Sequence, residues 1–327
     1  MPEVSIDTIR TTTIAALIRH GASDTAAAAV ADAVAEAEAT GNRICGLYYL
    51  ESYCRQLTTG RVKGDAIPLV TRPRPGHVAV DAGFGFAQPA FAAGLPKAIT
   101  AACENGTALL TIAHSHTATA MGYFTGQIAR AGLIGLGMTN ASPTVAAPGG
   151  RKRVIGTNPI AFSVPDGQGG VAMQFDFSTS ATALGSITMA KEAGQAIPEG
   201  WAVDDRGQPT TDPDAALSGA LSSAGGHKGW GIGVMVELLA AAMTGSTLSK
   251  DVHPLREDAG PPHDFGQTYM LIDPSGAPDF GGAFGQLADA IAADPGARIP
   301  GQGRSRAPKG PITVDDSLWQ TACDLAA

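Results

Sequence analysis

Apolar positions recur at helical spacing over the first sixty residues. Ile6, Ile9, Ile14, Leu17 and Ile18 trace one face, with Ser5 ahead of them as an N-cap and Gly21 stopping the run. An alanine-rich run from Ser23 to Thr40 predicts a second helix, ended by Gly41, and a third is predicted over 47–59, ended by Gly60. From residue 67 the period shortens to two. Residues 68–70, 77–81, 107–113, 133–138, 153–164, 171–177 and 268–272 read as strands, the 153–164 strand being interrupted at Thr157-Asn158-Pro159. Helices are predicted over 89–105, 120–131, 228–243, 284–293 and 317–325. Residues 198–217 read as a loop, because Pro198-Glu199-Gly200, Asp205-Arg206-Gly207 and Thr211-Asp212-Pro213 are turn sequences. Strands alternating with helices predict an α/β fold with a helical N-terminal region.

Composition narrows the class. With 327 residues, 44% of them hydrophobic, the chain can bury a large core in one large domain or two lobes. Only 16% is charged and 42 residues are glycine, a mix suited to tight turns and not to solvated tails. The net charge of -8 and the sparse basic residues argue against a nucleic-acid footprint. Arg151-Lys152-Arg153, the densest basic run, reads either as solvated loop charge or as a holder of phosphate, including a dinucleotide 2′-phosphate. The four cysteines form no C-x-x-C pair, and residues 1–4 show neither a basic nor an apolar leader. A cytoplasmic chain with reduced thiols is expected. The most apolar helix, 229–244, carries Glu237 at its middle, so it reads as a core helix and not as a membrane span.

Several polar clusters stand where ligands collect in α/β folds. His114 and His116 end a strand, and period two puts both on one face. They read as a polar rim or as ordinary hydrogen-bonded strand-end residues; a metal site would need a third ligand, and none is expected. Asn140, Thr157, Asn158 and Asp176 also lie at strand ends, and Gly156 allows close backbone approach. Ser178, Thr179 and Ser180 can cap a helix or cradle a phosphate. Gly83-Phe84-Gly85 has two of the glycines of a dinucleotide fingerprint, but Gln88 takes the place of the third, so a plain tight turn explains it better. Gly225-Gly226-His227-Lys228 opens a helix, where free N–H groups, the dipole and an ammonium together suit an anion.

The stretches AGLIGLGMTNASPTVAAPGG (131–150), IGTNPIAFSVP (155–165), AKEAGQAIPEGWAVDDRGQPTTDPDAAL (190–217), GGHKGWGIGVMVELLAAAMTG (225–245) and ARIPGQGR (297–304) resemble the type-2 malate/L-lactate dehydrogenase family, and within it the Δ1-piperideine-2-carboxylate/Δ1-pyrroline-2-carboxylate reductase branch. The resemblance implies that family's α/β dinucleotide-binding fold, distinct from the Rossmann fold, a homodimer, and hydride transfer from NADH or NADPH to small 2-oxo acids or cyclic imines. Carried over by position, Thr117, Ala118, Thr119, Ala120, Met121, Asp176, Phe177, Ser178, His227, Lys228, Arg298, Pro300, Gly301 and Arg304 would line the cofactor. Residues 1–66 would form the helical region, packed with 305–327. Residues 67–117 would be a strand and helix segment of the substrate lobe, and 118–304 the cofactor-binding domain.

The chain departs from the family where the chemistry is expected. Ile44-Cys45-Gly46 replaces Ser-His-Gly, whose His is the family's proton donor. Tyr49 replaces an Arg that grips the substrate carboxylate, Ser186 replaces a partner Asp, and Thr117 replaces a second His, with His116 beside it. His116, Cys45 and Tyr49 are therefore the candidate catalytic residues, with His227 a further donor, and Thr157, Tyr48 and Ser186 the candidate substrate contacts. Losing a bidentate carboxylate partner leads to the expectation of an NAD(P)H-dependent reductase of a C=N, C=O or conjugated C=C in an altered substrate, such as a tailoring step in specialised metabolism. Two alternatives stand beside it. One is a conventional 2-oxo acid or cyclic imine-2-carboxylate reductase using His116 as acid. The other is a non-catalytic dinucleotide-binding protein.

Overall fold

The computed structural model describes residues 1–254, 257, 260–302 and 310–327. A short strand, β1 (Glu3–Val4), leads into α1 (Ile6–Arg19) and α2 (Asp24–Ala39). Both helices start on the expected serines: Ser5 Oγ accepts from Thr8 N–H at 3.0 Å and Ser23 Oγ from Ala26 N–H at 3.3 Å. After a 3-10 turn at Leu47–Tyr49 comes α3 (Leu50–Thr59), which ends on Gly60 in the left-handed region. These helices bury Ile9, Leu17, Val30, Leu50 and Tyr53 in one cluster, which Val314 and Ala322 complete from the C-terminal end.

The main sheet begins with β2 (Leu69–Arg74) and β3 (His77–Asp81), continues through α4 (Ala87–Asn105), β4 (Thr107–Ser115), α5 (Met121–Arg130) and β5 (Ile134–Thr139), then departs through β6 (Val145–Ala146) and β7 (Arg153–Ile155) before β8 (Ile160–Pro165) and β9 (Val171–Phe177). α6 (Leu184–Glu192), β10 (Ala202–Val203), β11 (Pro209–Thr210), α7 (Pro213–Ser218) and β12 (Ala220–Leu221) build a smaller unit. α8 (His227–Val236) then runs on as a π-helical turn, Glu237–Ala242. β13 (Phe265–Ile272), α9 (Phe280–Ala292), β14 (Ile312–Thr313) and α10 (Asp316–Ala326) follow. No described helix is long and apolar enough to cross a membrane.

Seven strands lie in the order β2-β3-β4-β13-β5-β8-β9, β3 and β4 parallel and the other neighbours antiparallel. β13, late in the chain, fills the gap between β4 and β5, so the sheet runs unbroken across the 117/118 boundary. Period two divides its faces. Leu110, Ile112, Ala161, Tyr269 and Leu271 face α4 and α5, while Met138 and Ile160 face Val236 and Ala240. Gly137 is required on the crowded side, because a Cβ there would stand 2.8 Å from both Thr125 and Tyr269.

Three local expectations change. Residues 153–164 are two strands in different sheets, because Asn158 takes φ 36° and turns the chain between β7 and β8. Residues 198–217 contain the β10–β11 hairpin, whose turn is held by Asp204 accepting from the Arg206 and Gln208 N–H groups at 2.9 and 2.8 Å, and then α7. α6 escapes a reading by pattern because Ile187 is its one buried residue.

Candidate active site

Cys45 sits in a 3-10 turn, Arg43–Cys45, directly after α2. Glu38, 6% exposed, fixes this turn by accepting the Leu47 N–H at 2.8 Å. A Cβ on Gly46 would overlap the Glu38 carboxylate, so the turn needs glycine there. Tyr49 stacks on Tyr53 with centroids 6.1 Å apart, and half-exposed Tyr48 meets Tyr49 edge-on at 5.3 Å. Burial pushes the Cys45 thiol up to about 12, and the nearby Asp176 carboxylate adds to the effect. Burial, then Cys45 and Tyr49, raise the Tyr53 phenol well above its ordinary range. Cys45, Tyr49, Tyr53 and Asp176 thus share one neighbourhood.

The two strand-end histidines diverge, contrary to the expectation from period two, because His114 takes φ 52° and breaks the alternation. His114 Nδ1 lies 3.1 Å from Asp81 and its ring leans on Phe84, whereas His116 turns inward among Tyr53, Phe86 and His263. Gln56 Nε2 donates to Ser52 Oγ at 3.0 Å, which leaves Gln56 Oε1 to accept from His116 Nε2. The hydrogen is therefore assigned to Nε2, and Nδ1 is bare. Burial first, then His263 and Arg61, push the His116 imidazole well below its usual range. The ring is fully enclosed. Burial thus works against a protonated His116.

The expected cofactor residues converge at the end of β9. Asp176 Oδ2 accepts the Gly122 N–H at 2.9 Å and so ties β9 to the first turn of α5, just after the 117–121 strap. Gln174 N–H donates to Pro300 O at 3.2 Å, and Gly301 approaches Gln174 so closely that a Cβ would overlap its backbone. Thr157 O accepts the Thr179 N–H at 2.9 Å, and Thr179 O accepts the Ala224 N–H at 2.9 Å, which brings Thr157 and the start of α8 alongside. Ser178 shares a 2.9 Å hydrogen bond with Ser180 Oγ; these hydroxyls cross-link the segment and do not cap α6, whose N-cap is Ala183. Phe177, His227, Lys228 and Arg298 are exposed along this edge. Arg304 lies outside the described residues. The surplus N–H groups that open α8, beside exposed Lys228, fit a pyrophosphate. Arg153 is engaged elsewhere, its guanidinium donating to Gly219 O and Leu217 O, both at 2.6 Å, at the end of α7.

Ser186 stands apart, in the first turn of α6 with its N–H on Ala183 O. Among the described residues no hydrogen bond or ring contact joins it to Cys45 or His116. Among the described residues, too, no group of three His, Cys, Asp or Glu is placed to hold a metal. The sequence reading missed Tyr53, Gln56, Arg61 and His263. The first two were within reach, since Tyr53 and Gln56 on α3 follow Tyr49, its N-cap, at i+4 and i+7. Asn158 is a structural knot, with Nδ2 donating to Gly233 O at 3.0 Å and Glu237 Oε2 at 2.8 Å.

The malate/L-lactate dehydrogenase family model matches residues 4–322. The chain belongs to that family. Similar proteins include a Δ1-pyrroline-2-carboxylate reductase of Burkholderia ambifaria, 37% identical over 92% of this chain and 89% of that protein, and an NADP⁺ (2R)-3-sulfolactate dehydrogenase of Chromohalobacter salexigens, 36% identical over 92% and 90%. The crystal structure of Δ1-piperideine-2-carboxylate reductase from Pseudomonas syringae superposes with a TM-score of 0.92 at 33% identity, covering 99% of this chain and 100% of that one. As a family member the chain is an NAD(P)-dependent oxidoreductase of a small molecule, on the family's α/β fold.

Proposed function

We propose that this enzyme reduces a cyclic imine carrying a 2-carboxylate, of the Δ1-pyrroline or Δ1-piperideine kind. The observation that carries this reading is the burial of the donors around Cys45: a thiol pushed up to about 12, a phenol held above its usual range, and an enclosed imidazole held below its own. A carbonyl becomes an alkoxide as hydride adds, and it needs a proton from an acid near neutral pKa. A cyclic imine is basic and enters protonated, so hydride addition leaves a neutral amine without any proton delivery. The relatives favour this conventional substrate over the altered one.

Residues 118–304 would hold the dinucleotide, whose bound nicotinamide supplies the hydride. Asp176 ties the strap to α5, the start of α8 would receive the pyrophosphate, and Pro300 and Gly301 lie across β9. Thr157 would face the substrate. Tyr49 and Tyr53 present aromatic faces suited to an iminium, and the Tyr49 hydroxyl gives the carboxylate one hydrogen bond where an arginine would give two. The exposed apolar face of α8 supports a homodimer.

A second reading rests on Tyr49 itself: without the arginine, a substrate lacking the carboxylate gains ground. Steady-state rates with Δ1-piperideine-2-carboxylate, Δ1-piperideine and pyruvate separate these readings. The carboxylated imine should exceed pyruvate in kcat/KM by about 10²-fold or more, the scale of a general-acid contribution. Cys45→Ala should lower imine turnover by less than about tenfold, below what loss of a proton donor costs. Equal turnover of pyruvate overturns the proposal, and preference for Δ1-piperideine moves the assignment to the altered substrate.

A further inference from the structure

Next to His116, whose ring packs on His263, lies a cavity of about 240 Å³. Phe84, Val252, Pro261 and Pro262 give it apolar sides, and His263 and Asp264 its polar floor. Arg61, fully buried, holds Pro254 and Pro261 by donating to their carbonyls at 3.1 and 3.3 Å.

The floor is built for a donor. Asp264 Oδ2 already accepts the Thr247 N–H at 3.2 Å and the Thr247 hydroxyl at 2.7 Å, but Oδ1 is buried with no hydrogen-bond partner among the described residues. His263 is 2% exposed, and among the described residues neither ring nitrogen has a partner. Burial, with Arg61 and His253 nearby, pushes His263 down to about 3, so the ring is neutral and one nitrogen is an acceptor. Two buried acceptors, one of them on an acidic residue, lack donors, and burying such groups unpaired is costly. An anion would face the Asp264 carboxylate. A transition metal would want a third ligand, and no such trio exists among the described residues.

We propose that this cavity binds a small protonated cyclic secondary amine, with its two N–H donors on Asp264 Oδ1 and the bare nitrogen of His263 and its ring methylenes against Val252, Pro261 and Pro262. A secondary ammonium has two donors for the two acceptors. The volume suits one six-membered ring, since an apolar cavity of about 150 Å³ accommodates benzene. Asp251 and Asp264 both line the cavity, so an entering carboxylate would meet two carboxylates. The cavity adjoins the candidate active site through the His263–His116 ring contact at 5.0 Å, and its ligand is read by binding, not by turnover.

Long-range ¹H–¹⁵N spectra of the His263 imidazole, recorded on the full chain during titration with piperidinium chloride, test the proposal. The His263 signals should shift saturably, with a Kd on the order of 1 mM, a modest affinity for six heavy atoms. Cyclohexanol and acetate should leave them in place. Asp264→Asn should weaken binding at least about tenfold, the scale of a charge-assisted hydrogen bond. Val252→Phe should abolish binding by filling the cavity with the carboxylate intact, which keeps the test open if Asp264→Asn fails to fold. No saturable shift, an equal response to cyclohexanol, or undiminished binding in the folded variants overturns the proposal.

Discussion

His116 and His263 are held uncharged inside the protein, and pH reveals what that costs. An unfolded histidine takes up a proton below about pH 6.5. In the folded chain burial holds His263 down to about 3 and His116 well below its ordinary value, with Arg61 opposing protonation of both. Below about pH 6.5 the unfolded state therefore binds protons that the native state refuses. The stability present above that pH is lost as the pH falls, by up to about 1.4 kcal/mol per pH unit for each histidine. His263→Phe, stacked like His263 on Phe265, should flatten the fall in Tm between pH 6.5 and 4; a variant as acid-sensitive as the parent removes His263 from this account. His116 was legible in the sequence as a strand-end residue, but its environment was not. Gln56 lies sixty residues away along the chain, and His263 reaches it only because β13 inserts beside β4.

Elements were legible where the chain caps itself. Ser5, Ser23 and Gly60 mark helix ends by local chemistry, and each does so in the structure. The break between β7 and β8 was hidden because it depends on Asn158 adopting a left-handed backbone, which its bonds to Ala141, Gly233 and Glu237 stabilise from distant elements. The turn that carries Cys45 is of the same kind. Its register is set by Glu38 on α2, whose buried carboxyl is pushed upward by desolvation while the Leu47 N–H pulls it down. Gly46→Ala should force that carboxylate aside and destabilise the chain by about 1–3 kcal/mol in urea unfolding. Glu38→Ala removes the obstacle but leaves the Leu47 N–H unpaired. The double variant should therefore be more stable than the sum of the single losses, by about 0.5 kcal/mol or more. Additive losses would mean that Glu38 and Gly46 do not share this contact.

The whole molecule leaves one expectation reversed, and it bears on assembly. The apolar run over 229–244 predicted a core helix, yet α8 and its π-helical extension are buried on one side only. Val236 and Ala240 are fully buried against Met138 and Ile160, while Ile232, Met235, Leu238 and Met243 are 41–56% exposed. The sequence cannot separate these cases, because a helix that buries one face against its own sheet and another against a second chain is apolar all round. Single exposed apolar residues are ordinary, but four along one helix form a patch that soluble monomers rarely leave to water. A second copy of this chain is the expected cover. Light scattering should give twice the 33.0 kDa chain mass. Met235→Glu combined with Leu238→Glu should reduce it to the single-chain value with the helical circular dichroism retained, because two carboxylates per copy cannot be desolvated in an apolar interface. A monomeric parent would overturn the homodimer, and a double variant that keeps the doubled mass would place the interface elsewhere on the surface.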